Sequence, residues 1–192
     1  MRLFGRLIRL SFVAGVAAAA AACGSVESNL RANAPVQERL DASKLTLAPL
    51  QFVSFCMRNG AECAPKGPAQ AVVALDSQVL AVLEGVNRAV NARIAPSREE
   101  GQWRINPSSG NCNDYVVSKR HELLARGMPS SALLINVVRT PAGEGHLVLV
   151  VRTDRGALVL DNLTSDIRAV GEAPYSWIKR QTIRDPNLWE MA

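Results

Sequence analysis

The apolar positions of this 192-residue chain change their period from one region to the next. Residues 10–22, LSFVAGVAAAAAA, are continuously apolar and follow a cationic start, MRLFGRLIR. Residues 23–45 are polar and lack aromatic side chains, as expected of a tether. Residues 46–55, TLAPLQFVSF, read as extended chain. Between Pro68 and Ala95 the apolar residues recur at helical spacing, through Val72, Leu75, Val79, Val86, Val90 and Ile94. That spacing predicts an amphipathic helix, or a helix pair broken near Gly85. In the second half the period shortens. ALLINVVRT (132–140), HLVLVV (146–151) and ALVL (157–160) are apolar or β-branched runs separated by the turn signals PAGEG and TDRG. Three short strands joined by tight turns predict an antiparallel meander, and helices followed by strands predict an α+β domain over residues 46–192.

One more helix is expected at residues 112–126. Ser109 or Asn111 offers an N-cap, Val116, Leu123 and Leu124 an apolar face, and Gly127 with Pro129 a stop.

Charge and composition sharpen this outline. The formal net charge of +5 falls to +2 once Arg2, Arg6 and Arg9 are set aside with residues 1–22, which carry no acids. A balance of that size is not the footprint of a nucleic-acid binder. Residues 1–22 have the cationic and apolar regions of a secretory signal peptide, and the apolar run is too short to span a bilayer. The small residues around Cys23 leave two mature forms open, a soluble one and a lipoprotein acylated at Cys23. Either way the expected compartment is the periplasm.

Export makes cysteine pairing the rule. Cys56 and Cys63 enclose MRNGAE, whose Asn-Gly is a turn signal, so a short disulfide loop is expected there. Six intervening residues and no second pair do not match a structural zinc site. Cys112 is then left unpaired, in the first turn of the helix predicted at 112–126. There the helix dipole and unpaired N–H groups favour an anion, which suits a nucleophilic thiolate, although a buried structural cysteine fits the same position.

A cysteine nucleophile needs a base. His121 lies nine residues along the same helix, on its opposite face and roughly 13 Å away along the axis, and reads as a solvated side chain. His146 opens a strand beside the PAGEG turn, where it can face a cleft. Asp161 ends the following strand, close enough on adjacent antiparallel strands to orient an imidazole. Trp103 reads as a core aromatic that can also wall a cleft.

With these residues in place, the stretches GNCNDY, GMPSSALLINVV, GHLVLVV, LVLDNL and PYSWIKRQ resemble the bacterial transglutaminase-like cysteine proteinases, whose LapG-type branch clips surface adhesins in the periplasm. The resemblance implies a papain-like/transglutaminase-like α+β fold and a triad of Cys112, His146 and Asp161. It also implies a protein substrate such as a surface adhesin, and an inner-membrane regulatory receptor as partner. The same triad would serve acyl transfer to an amine or side-chain amide hydrolysis, and a binding or signalling domain without catalysis is the alternative of a different class. The family's motif is Gly-Asp-Cys-Glu-Asp-Tyr, with its acids implicated in calcium binding. Here Asn111 and Asn113 replace two of those acids and Asp114 remains, so these three residues would form a weak calcium site, with no cofactor required for the chemistry.

Overall fold

Two positions where backbone and side chain must match decide how this chain builds its site. The first is Pro49. It caps a helix, α1 (Leu50–Arg58), where the sequence predicts extended chain. The structure, a computed structural model, describes residues 41–69, 71–99 and 101–192. The expected signal peptide, the lipidation position Cys23 and the tether up to residue 40 lie outside these residues. A 3-10 turn at Ala42–Lys44 leads into β1 (Leu45–Thr46), so the end of the expected tether is already part of the fold. Phe52 and Phe55 are the buried residues of α1, and their burial against Trp103 and Trp189 decides the conformation of the segment.

A short helix, α2 (Gly60–Cys63), follows, and Cys56 and Cys63 form the expected disulfide across the turn between the two helices. α3 (Ser77–Arg93) begins where the Asp76 carboxylate accepts from the Val79 N–H at 2.7 Å. It runs unbroken through Gly85, so the alternative of a helix pair is not realised. Its end is drawn into a two-stranded parallel ribbon, β2 (Ala95–Pro96) with β3 (Ser109–Gly110).

The second position is Gly110, the residue that leads into α4 (Cys112–Ala125). A Cβ there would meet the Asp114 side chain, its own Cβ only 2.7 Å away. Only glycine lets the chain pass this close to the helix it is about to enter. α4 ends as predicted, with Gly127 at φ +84°.

The second half then lays down β4 (Leu133–Arg139), β5 (Gly145–Thr153), β6 (Gly156–Leu160), β7 (Arg168–Ala169), β8 (Ser176–Gln181) and β9 (Trp189–Met191). The predicted meander is β4–β5–β6. It sits inside a seven-stranded antiparallel sheet of order β1-β9-β8-β4-β5-β6-β7. Both faces of the sheet are covered, which explains its continuous apolar runs. Leu149 and Val151 belong to the main core with Phe52, Leu83 and Leu123 of the helices, while Val148 and Val150 pack with Tyr175 and Trp177 in a second cluster. The fold is the expected mixture of helices and antiparallel sheet.

Candidate active site

Cys112 is the first residue of α4 and the one free cysteine among the described residues, partly exposed. Asn111, not Ser109, is the N-cap. Its side-chain oxygen accepts from the Asn113 N–H at 3.1 Å, and the Asp114 carboxylate reaches back to the Asn111 N–H at 3.1 Å, a capping box around the thiol. The second Asp114 oxygen accepts from the Arg104 N–H at 2.7 Å, and the Arg104 guanidinium lies 3.6 Å from the carboxylate. The Cys112 N–H opens the helix with no intrahelical acceptor, a donor free to meet an anion.

α4 is anchored on its far side as well. Arg120 is buried and donates to the carbonyls of Leu133 and Glu62, at 3.1 and 2.5 Å. His121 is not the solvated residue the sequence suggests. Its Nδ1 lies 2.8 Å from the Glu62 carboxylate, which the adjoining disulfide holds in place. His121 is thereby committed to α2, away from the thiol.

His146 and Asp161 are brought together. Antiparallel pairing sets Leu149 opposite Leu160, which carries the end of β6 alongside the start of β5. The two residues are 4% and 2% exposed, and His146 Nε2 lies 2.8 Å from Asp161 Oδ1. Burial pulls the imidazole down, but hydrogen bonds to Asp161 and Cys112 and the charges of both outweigh it and lift His146 to about 9. With Nε2 turned to the carboxylate, Nδ1 is the nitrogen that remains for the thiol. Burial pushes the Asp161 carboxyl up. Hydrogen bonds from His146, Tyr175 and the Leu163 N–H, with the imidazole charge, win and hold it below the usual carboxylate range.

Two further groups at this site are not evident in the sequence. Tyr175 donates its hydroxyl to Asp161 Oδ2, and its ring centroid is 5.7 Å from that of His146. Burial and the Asp161 carboxylate together push the phenol above its ordinary value. Lys119 is 1% exposed, with Nζ 5.9 Å above the Tyr115 ring. Burial lowers Lys119 to about 7, against the opposing pull of Asp161.

Cys112 and His146 open on a cleft of about 710 Å³, lined also by Pro49, Ser97, Trp103 and Leu163 among others. Trp103 is 3% exposed and does both things expected of it, packing on Phe52 at 5.6 Å and walling the cleft.

The expected calcium ligands do not fit a cation as they stand. The Asn111 oxygen is committed to the helix cap, and its amide donates to the Glu99 carbonyl at 2.9 Å. Both Asp114 oxygens are held by backbone N–H groups and by Arg104, and the residue is 3% exposed. Asn113 Oδ1 faces the thiol, 4.0 Å from Sγ. No group of three or more His, Cys, Asp or Glu side chains able to hold a metal occurs among the described residues. A calcium ion needs six or more oxygens, several of them charged, and these three side chains in this arrangement offer one carboxylate that is already engaged.

Residues 42–192 match the sequence profile of the bacterial transglutaminase-like cysteine proteinases. Among solved structures the chain is similar to Legionella pneumophila LapG, 22% identical over 74% of this chain and 78% of that one, with a TM-score of 0.51. The EGTA-treated form of the same protein gives 20% identity, 74% and 76% coverage and a TM-score of 0.52. Its calcium-bound form gives 21% identity, 68% and 73% coverage and a TM-score of 0.48. At these identities the likeness is one of fold. No curated protein matches the chain.

Proposed function

The chain belongs to the bacterial transglutaminase-like cysteine proteinases, and from that premise we propose that it is an exported peptidase that cuts a periplasmic or cell-surface protein with Cys112, His146 and Asp161. The observation that supports this reading most is one imidazole hydrogen-bonded to a buried carboxylate and lining the same cleft as the free thiol at a helix N-terminus. An imidazole lifted to about 9 stays protonated at neutral pH and is a cationic partner for the attacking sulfur.

In the reaction the Cys112 thiolate attacks the scissile carbonyl carbon, forming a C–S bond and an oxyanion. The Cys112 N–H, at the positive end of α4, stabilises that oxyanion. The C–N bond then breaks. His146 gives its proton to the leaving amine, which departs and leaves a thioester. A water then loses a proton to His146 and attacks the thioester, releasing the acid product and the thiolate. Asp161 keeps Nε2 as the donor throughout, so that Nδ1 handles the proton in transit. No step passes through a metal ion.

A primary amine in place of that water would make the enzyme an acyl transferase, and the protein is read as a hydrolase because the family is one of proteinases. The test compares surface and released proteins of cells carrying wild type or Cys112→Ala. A protein retained uncut only in the variant names the substrate. Thiol alkylation of the purified protein tests the site itself. Labelling of Cys112 near neutral pH that is fast, and slows in His146→Ala, supports the peptidase. Slow labelling indifferent to His146 would overturn it.

A further inference from the structure

Cys112, His146 and Asp161 stand on α4, on β5 and at the end of β6. α3 carries none of them, yet it touches two of the three supports. At its C-terminal end the Ile94 carbonyl accepts the Tyr115 hydroxyl at 2.5 Å, which ties α3 to the first turn of α4 beside Cys112. One turn further back α3 presents two asparagines four residues apart, which a helix places on one face. Asn91 Nδ2 donates to the backbone carbonyl of Asp161 at 2.8 Å and to that of Thr164 at 3.3 Å. Asn87 Nδ2 donates to the Ser165 carbonyl at 3.0 Å. Only the NH₂ end of a carboxamide can face a carbonyl oxygen, so both orientations are fixed by the contacts.

Such residues are out of character for this helix face. Asn87 is fully buried, between Leu83, Val86 and Val90, where an apolar side chain is the usual occupant. Each asparagine also leaves its buried Oδ1 without a hydrogen-bond partner. An unpaired buried acceptor lowers stability. Two of them on one helix face are a poor way to stabilise a fold, whereas two donors aimed at one loop are a good way to fix its position. The loop in question begins at Asp161. Beyond β6 it has no partner strand until β7, so its backbone would otherwise be free to shift the carboxylate.

We propose that Asn91 and Asn87 are positioning residues for the peptidase reaction, holding the backbone of the Asp161 turn at a set distance from the nucleophile helix through α3. The proposal rests on the reading of Cys112, His146 and Asp161 as the triad. Neither asparagine touches substrate. They act through Asp161, which acts through His146, so their loss changes the reactivity of Cys112.

The experiment uses the purified protein with iodoacetamide as probe. The alkylation rate of Cys112 is followed from pH 5 to 10, and the His146 imidazole is titrated by NMR, in wild type, Asn91→Leu, Asn91→Asp and Asn87→Leu with Asn91→Leu. Asn91→Leu keeps the volume and removes the amide, and Asn91→Asp keeps the shape and removes the donor. Thermal melts identify the variants that fold. The expected result is a fall of roughly 10-fold or more in alkylation rate at pH 7 for the folded variants, the double variant showing the largest fall, with the imidazole midpoint of the leucine variants moved downward from the wild-type value. A role in stability alone would lower the melting temperature and leave the rate and the midpoint of the folded protein in place. That outcome overturns the proposal. A parallel His146→Ala variant separates the triad from the positioning role. If wild-type alkylation is indifferent to His146, the triad reading falls and this inference with it. If it depends on His146 and not on either asparagine, the positioning role alone falls.

Discussion

Tyr175 donates its hydroxyl to Oδ2 of Asp161, the carboxylate oxygen that His146 does not use. The acid is thus held from two directions, and its rotation about χ2 is blocked without any contact to substrate. Replacing Tyr175 by Phe removes one hydrogen bond to a charged group, worth about 1.5–3 kcal/mol. The expected outcome is a folded protein with roughly 10-fold lower kcat and a nearly unchanged KM. NMR titration should show the His146 midpoint moving down, since an untethered carboxylate supports the imidazolium less well.

The lifted imidazole has a signed consequence for pH. His146 titrates near 9 in the folded protein against an ordinary 6.5. Its charged form therefore stabilises the fold fully below about pH 6.5, progressively less as pH rises, and not at all above about 9. The difference in melting temperature between wild type and His146→Gln should be largest near pH 6 and should shrink towards pH 10. The same ionisation sets the alkaline side of the rate profile, and activity should fall with a midpoint near 9.

Lys119 makes the opposite demand. Burial lowers it to about 7 from its ordinary 10.5, so its proton is lost on folding between those values and stability gains as pH rises through that window. Lys119→Met relieves the burial of a charge. It should raise the melting temperature most below pH 7 and least above pH 10. Differential scanning calorimetry across that range reads the trend directly.

Chelation offers a simple check of the capping box. Because the oxygens of Asn111 and Asp114 already cap and brace α4, EGTA should leave both the melting temperature and the alkylation rate of Cys112 unchanged. Added calcium in the millimolar range should do no more. A chelator-dependent loss of either quantity would show that these side chains rearrange around an ion.

Much of this site is legible in the sequence because its signals are local. Asn111 before Cys112 and Gly127 after the helix mark both ends of α4, and the turns PAGEG and TDRG set His146 and Asp161 on neighbouring strands. What stays hidden depends on distant contacts. The segment from Thr46 to Phe55 carries no helical signal strong enough to read locally, and Trp103 and Trp189 packing on Phe52 select the helix. Tyr175 is separated from Asp161 by a whole loop and strand β7, so no spacing rule links them. Asn87 and Asn91 leave a trace, polar side chains on a face where apolar ones recur, but their partners are backbone carbonyls that no sequence pattern marks. His121 is misread for the same reason, since its partner Glu62 belongs to a helix formed around a disulfide.

The pairing of β1 with β9, Leu45 opposite Glu190, brings the two ends of the described domain side by side on one edge of the sheet. Cys112, His146 and Asp161 are carried by α4, β5 and β6, away from that edge in strand order. The order of elements is therefore cyclic in space although it is linear in the gene. A short linker from residue 192 to residue 42, with new termini opened in the turn between β5 and β6, would yield a circular permutant with the same sheet. Its β1–β9 pairing would become a hairpin instead of a contact between distant parts of the chain, lowering the entropy lost in closing the edge.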